Sequence, residues 1–133
     1  MQNETLESLR SGYEVLSRTG EWPEDGLLAS GFELHRDPFV DAAGVPPGPG
    51  APGELMRVLN GAMRDVSLET ERFIEAPDGV VVAVIRMRAN GRASGIALDK
   101  QQAHVWTFEN DVAVRMQIYG QTAEALRAVG LSA

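Results

Sequence analysis

The sequence contains no cysteine, which excludes disulfide bonds, thiolate metal sites and a cysteine nucleophile. Basic residues are few: 12 Lys and Arg stand against 19 Asp and Glu, giving a net charge of -7. Because neutralising phosphates needs a basic surface, nucleic acid is not expected as a partner. The longest apolar run, Val80 to Ile85, is too short to span a bilayer, and the first residues lack the pattern of a secretory signal. We therefore expect a cytoplasmic protein with no membrane partner.

Recognisable cofactor motifs are missing as well. The glycines from Gly44 to Gly53 are broken by prolines and lack the Lys-Ser/Thr ending of a phosphate loop. The two histidines, His35 and His104, have neither a metal-ligand spacing nor a carboxylate cluster beside them. We expect no metal and no cofactor. The 133 residues, 44% of them hydrophobic and 23% charged, predict a single globular domain over residues 1–133.

The segment 103–117 is the most informative part of the chain, because its alternation predicts two strands joined by the polar turn Glu109-Asn110-Asp111. His104, Trp106 and Phe108 share one face of the first strand. One face of the second strand carries Val112, Val114, Met116 and Ile118. An imidazole and an indole among aliphatic side chains indicate either the wall of a pocket or an ordinary half-buried sheet with a hydrogen-bonded core histidine.

Helices are predicted mainly before the sheet. Apolar spacing from Leu6 to Leu16 indicates a helix that carries Tyr13 and stops at Gly20. A second short helix is predicted from Pro23 to Gly31, followed by a brief strand over residues 32–35. Residues 40–53, rich in proline and glycine, predict a surface loop, which is either a tolerated insertion or a pocket lid. A third helix is predicted over residues 55–63.

The remaining chain predicts strands over residues 66–75, 80–88, 94–108 and 112–119, then a closing helix from Thr122 to Gly130. The expected fold class is α+β, with three N-terminal helices packed on a curved antiparallel sheet. Apolar residues occupy both faces from Val80 to Ile85, so both faces of this strand should be covered. Helices are expected on one face and a second subunit on the other, which predicts a homodimer.

Tyr13 on the first helix, Gly20 closing it, the pair Asp37-Pro38 and His104 on the late strand occur in an order that resembles the NTF2-like superfamily. The nearest branches are the SnoaL-like polyketide cyclases and the ketosteroid isomerases. The resemblance implies a cystatin-like cone. In the isomerases a helix tyrosine, the aspartate of an Asp-Pro pair and an acid on the late hairpin form the active site. His104 stands where the isomerases have that acid.

The resemblance implies a catalytic set of Asp37, Tyr13 and His104, with Asp37 as the base that removes a proton next to a carbonyl and Tyr13 as a donor to its oxygen. Each residue also has a structural explanation: Asp37 starts a turn, while Tyr13 and His104 fill the core. A neutral imidazole donates more weakly than a carboxylic acid, so steroid isomerisation itself is less expected than a cyclase reaction.

The expected partner is a small, flat, apolar carbonyl compound bound in an apolar pocket. Its predicted wall consists of Trp22, Phe32, Phe39, Met56, Met63, Trp106, Met116 and Ile118. The function predicted from the sequence is an isomerase or cyclase that uses Asp37 for proton abstraction. The alternative is a binding or dimerisation module of the same fold that catalyses no reaction.

Overall fold

The computed structural model describes residues 3–35 and 45–131. Within these ranges the chain forms three helices and five strands, and no helix combines the length and apolar character needed to cross a membrane. In chain order they are α1 (Asn3–Thr19), β1 (Leu28–His35), α2 (Ala51–Ala62), β2 (Met63–Ala76), β3 (Val80–Gly91), β4 (Ala97–Glu109), β5 (Val112–Tyr119) and α3 (Thr122–Ala128). The α+β class predicted from the sequence is confirmed.

The five strands form one mixed sheet in the order β1-β5-β4-β3-β2. Strands β2 to β5 pair antiparallel with their sequence neighbours, whereas β1 pairs parallel with β5. The prediction of a purely antiparallel sheet is therefore wrong. A parallel pair needs a long crossover, and here the crossover consists of α2 and strands β2 to β4.

The prediction of three N-terminal helices is also wrong, because a single helix precedes the first strand of the sheet. The segment expected to be the second helix instead holds a turn, in which Leu27 N donates to Asp25 Oδ1 at 3.0 Å and Gly26 has φ +80°. Strand β1 then begins at Leu28. Pairing with β5 and the local aspartate turn outweigh the weak helix pattern of this segment.

The proline-rich loop is shorter than predicted, because α2 begins at Ala51 rather than Leu55. Pro52 lies in the first turn of this helix, where proline costs no intrahelical hydrogen bond. By contrast, the helix predicted to end at Gly20 is confirmed: Gly20 has φ +82°, and its N donates to Leu16 O at 2.8 Å.

Strand β2 changes face at a bulge. Its pairing with β3 shifts between Thr70 and Arg72, which places Phe73 opposite Ala83 in the core beneath α1. Ile74 consequently turns to the opposite face and packs near α3. One extra residue at the bulge thus exchanges the faces of all the residues that follow it in β2.

Strand β3 is buried on both faces, as predicted, but its own chain covers both. Ala83 belongs to the main core beneath α1, whereas Val82 packs with Ala103, Ala125 and Leu126 beneath the C-terminal helix α3. The apolar pattern of β3 therefore needs no second subunit to explain it.

The side chain of Trp22, in the connection after α1, fits against this helix at Gly12. A Cβ atom added to Gly12 would overlap the six-membered ring of Trp22, so only glycine leaves room for the indole. The indole is 7% exposed and meets Tyr13 edge to face, with ring centroids 5.5 Å apart. Helix α1 thus holds both aromatic rings against the sheet.

We predict that Gly12→Ala lowers the free energy of unfolding by about 1–3 kcal/mol, because the new methyl group overpacks the seat of Trp22. Gly61→Ala in α2 is the matched control, since a Cβ there meets no atom within 4 Å. It should raise stability by up to about 1 kcal/mol through helix propensity. Urea denaturation of both variants provides the comparison. Equal effects of the two substitutions would contradict the fitted seat.

Candidate functional site

A buried hydrogen-bonded group links α1 to β4 in the middle of the apolar core. Tyr13 Oη lies 2.5 Å from His104 Nδ1, and Trp106 Nε1 donates to Tyr13 Oη at 2.9 Å. Tyr13 and His104 are each 2% exposed. The structure therefore brings together three of the residues singled out in the sequence. Tyr13 is more than 90 positions away from the other two along the chain.

The polar chain continues on the other side of His104. His104 Nε2 lies 3.1 Å from Gln102 Oε1, and Gln102 Nε2 donates to Met87 Sδ at 3.2 Å. Gln102 was not among the predicted site residues. The signal that could have found it is the alternation of β4, which puts positions 102, 104 and 106 on the same face.

Burial keeps the phenol and the imidazole in their neutral forms. It lowers the pKa of His104 to about 3, because the charged imidazolium would lose its hydration. Burial also raises the pKa of Tyr13 far above its usual range, and the hydrogen bond from Trp106 offsets only part of this effect. In this closed state His104 is a neutral hydrogen-bonding group near pH 7.

Trp106 is the centre of an aromatic cluster. Its ring stacks on Phe32 with centroids 5.7 Å apart and on Phe108 at 6.4 Å, and Trp22 lies at 5.4 Å. Tyr13 meets it edge to face at 6.0 Å. Offset and edge-to-face contacts of this kind add to the stability gained by burial alone.

A small apolar cavity of about 20 Å³ lies beside the polar chain. The residues that line it include Tyr13, Trp22, Met56, His104, Trp106 and Met116. Its volume is near that of a single water molecule, but its surface is entirely apolar. In this state the interior has no room for a substrate.

A groove of about 920 Å³ opens outside this cavity, between segments 19–28 and 49–60. Trp22 and Met56 line the groove as well as the cavity, so these two side chains separate them. Trp22 Nε1 is buried without a hydrogen-bond partner within the described ranges. Leaving a donor unpaired costs free energy. The contacts of this indole within the described residues are those of its rings with Tyr13, Trp106 and α1 at Gly12.

The other predicted wall residues divide into three groups. Phe32 and Met116 are buried close to Trp106, and of these two Met116 lines the cavity whereas Phe32 does not. Met63 and Ile118 are partly buried and pack on the core without lining the cavity. The remaining predicted site residues, Asp37 and Phe39, lie outside the described residues.

His35 lies apart from the cluster, half-exposed, with its Nε2 3.2 Å from Glu33 Oε1. In the part of the chain that the structure describes, no three His, Asp or Glu side chains come close enough together to hold a metal ion.

The sequence matches no protein-family model and no curated protein. Solved structures nevertheless share its fold over almost its whole length. An NTF2-like protein of unknown function from Burkholderia pseudomallei aligns at a TM-score of 0.66 with 21% identity, covering 97% of this chain and 99% of that one. A protein described as a SnoaL-like polyketide cyclase from a Jannaschia species gives 0.69 with 13% identity, over 96% and 92%.

A third similar structure is a protein with a ketosteroid isomerase-like fold from Catenulispora acidiphila, in complex with trimethylamine. Its TM-score is 0.62 at 11% identity, over 98% of this chain and 95% of that one. The chain thus has the NTF2-like fold shared by SnoaL-like and ketosteroid isomerase-like proteins. This confirms the resemblance predicted from the sequence at the level of the fold.

The depressed pKa of His104 predicts a specific loss of stability in mild acid. An unfolded histidine takes up a proton near pH 6.5, whereas folded His104 does so only near pH 3. The contribution of neutral His104 to the free energy of unfolding is therefore full above pH 6.5 and declines below it. Between pH 6.5 and 5 the free energy of unfolding should fall by about 2 kcal/mol more in the parent than in His104→Gln.

Chemical denaturation at several pH values measures this difference. His35→Gln is the matched control, because it removes the other, half-exposed histidine and keeps His104. Parallel profiles for the parent and His104→Gln would contradict the neutral buried imidazole.

Proposed function

We propose that this protein binds a small, flat, largely apolar molecule in the interior of the cone, beside Tyr13 and Trp106. The observation that carries the proposal is the thin partition between the 20 Å³ cavity and the 920 Å³ groove, formed by Trp22 and Met56. Moving two side chains would join the two spaces into one pocket. The similar structure from Catenulispora acidiphila, which holds trimethylamine, is consistent with small-molecule binding by this fold.

The partition is suited to opening. Among the described residues Trp22 has no hydrogen bond to break at its indole nitrogen, and a methionine side chain adapts to many shapes. The indole itself indicates which ligand would fit: a flat fused ring between Gly12 and the rings of Tyr13 and Trp106. A ligand of that shape would replace the ring contacts that Trp22 gives up.

The finer proposal is a reaction: Asp37 removes a proton next to a carbonyl of the bound molecule, while Tyr13 and His104 hold the oxygen. Its support is the pair of hydrogen-bonding groups in a dry apolar interior, where donors to a developing oxyanion act most strongly. The fold is shared with a protein described as a polyketide cyclase. The competing proposal is a binding module that catalyses no reaction.

A panel of cyclic ketones that includes 2-tetralone separates these proposals. We expect a flat ketone to raise the melting temperature by mass action and to exchange its α-hydrogens for deuterium faster than in buffer. Asp37→Asn should keep the thermal shift and lower the exchange rate about a hundredfold to ten-thousandfold, because it removes the base. Tyr13→Phe should have a smaller effect.

Tyr119→Phe is the matched control for Tyr13→Phe, since Tyr119 packs with the cluster beneath α3 and not with Trp106. It should leave binding and exchange unchanged. Binding without accelerated exchange would favour the binding module. If no flat ketone stabilises the protein, the small-molecule proposal itself fails.

We also propose a homodimer through the outer face of the sheet. The part of this face beyond α3 carries mixed charges: Arg86 lies 3.5 Å from Asp99, and Arg88 lies 3.0 Å from Glu69. A surface with both signs of charge can meet its own copy across a two-fold axis. Light scattering over a dilution series should give about twice the 14.4 kDa chain mass. A monomer at micromolar concentration would exclude the dimer.

A further inference from the structure

The buried hydrogen-bond chain from Trp106 to Met87 has a direction, because its two ends cannot exchange roles. The indole Nε1–H of Trp106 only donates, and the thioether of Met87 only accepts. With the amide nitrogen of Gln102 on Met87 Sδ, Gln102 Oε1 accepts from His104 Nε2–H, and His104 Nδ1 accepts from the Tyr13 hydroxyl. Every group in the chain then has a partner, with the proton of the neutral imidazole on Nε2.

We infer that Gln102 is a positioning residue that selects the tautomer of His104 and thereby decides where the Tyr13 hydroxyl points. This inference rests on the proposed function and extends it to the oxygen of the ligand. Gln102 is buried, and its amide presents its oxygen to His104 and its nitrogen to Met87. Rotating the amide by half a turn would place the nitrogen towards His104 and the oxygen towards Met87.

In the rotated state Gln102 Nε2 would donate to His104 Nε2, so the imidazole would carry its proton on Nδ1 instead. One proton leaves Nε2 and another joins Nδ1, both by exchange with water while Trp22 and Met56 are displaced. The imidazole stays neutral. His104 Nδ1–H then donates to Tyr13 Oη, which releases the phenolic O–H for another acceptor. The only bond lost is the weak one to the sulfur of Met87.

The two states recognise different oxygens. In the resting state Tyr13 Oη accepts a hydrogen bond from Trp106 Nε1 and donates one to His104 Nδ1. It therefore offers a ligand only a lone pair. That state suits a ligand hydroxyl. In the rotated state Tyr13 offers its O–H, which suits a carbonyl. The predicted ligand class is therefore a ring compound whose oxygen exists as a ketone or as its enol, held through either form by the same tyrosine.

The tautomer of His104 can be measured directly from its two ring ¹⁵N chemical shifts. In the ligand-free parent at pH 7 we expect the Nε2–H form to predominate. Gln102→Leu removes the acceptor of that proton, and the ratio of the Nε2–H to the Nδ1–H form should fall at least about fivefold. Gln101→Leu, at the neighbouring exposed position, is the matched control and should leave the ratio unchanged.

Met87→Leu is a second variant that conserves volume and should fold even if Gln102→Leu does not. It removes the sulfur that holds the amide in its resting orientation, so the ratio should fall by a smaller factor. An Nδ1–H form predominating in the parent, or an unchanged ratio in both Gln102→Leu and Met87→Leu, would overturn the assignment of Gln102.

Two probes with the same ring skeleton test the ligand-dependent part. Saturating 2-tetralone, whose oxygen only accepts, should convert His104 to the Nδ1–H form, whereas 2-naphthol, which can donate, should leave it on Nε2. The same tautomer with both bound probes would overturn the reversal. If neither probe binds, the proposed function and the reversal both fail, while the ligand-free comparison still decides whether Gln102 selects the tautomer.

Discussion

The hydrogen bond between Tyr13 and His104 is the constraint on which the interior depends. It fastens α1 to the middle of β4 and gives two polar side chains partners inside an otherwise apolar core. Without it, each would leave an unpaired polar group far from water, which is costly. This bond holds the Tyr13 hydroxyl where it also accepts from Trp106 Nε1, and the rings of Tyr13 and Trp106 both contact Trp22 over Gly12.

Local patterns predicted what depends on local chemistry. The β4–β5 hairpin and the shared face of His104 and Trp106 follow from the alternation of β4 before a polar turn. The single face predicted for β5 is wrong, because the register shifts between Thr107 and Phe108 and brings Ala113, instead of Val112 and Val114, to the core face with Met116. The turn residues Asn110 and Asp111 both have positive φ, which asparagine and aspartate tolerate better than most residues. That is why this segment was predictable without knowledge of the rest of the fold.

Features that depend on distant partners could not be predicted in this way. The parallel pairing of β1 requires β5, and the bulge in β2 is visible only from its register with β3. The sequence marks Gln102 only as a polar strand residue, because its role depends on the sulfur of Met87 on the neighbouring strand β3. The closed interior was equally hidden, since the packing of Trp22 depends on a single glycine in α1.

The central claim is that a flat ligand enters the interior beside the two indoles. The chain has two tryptophans, so a ¹H–¹⁵N spectrum should show two indole N–H signals, one from hydrogen-bonded Trp106 and one from Trp22, whose indole nitrogen has no partner among the described residues. Titration with 2-tetralone should move both signals along a common saturation curve. If the ketone moves only surface amide signals while both indole signals stay in place, the interior is not the binding site.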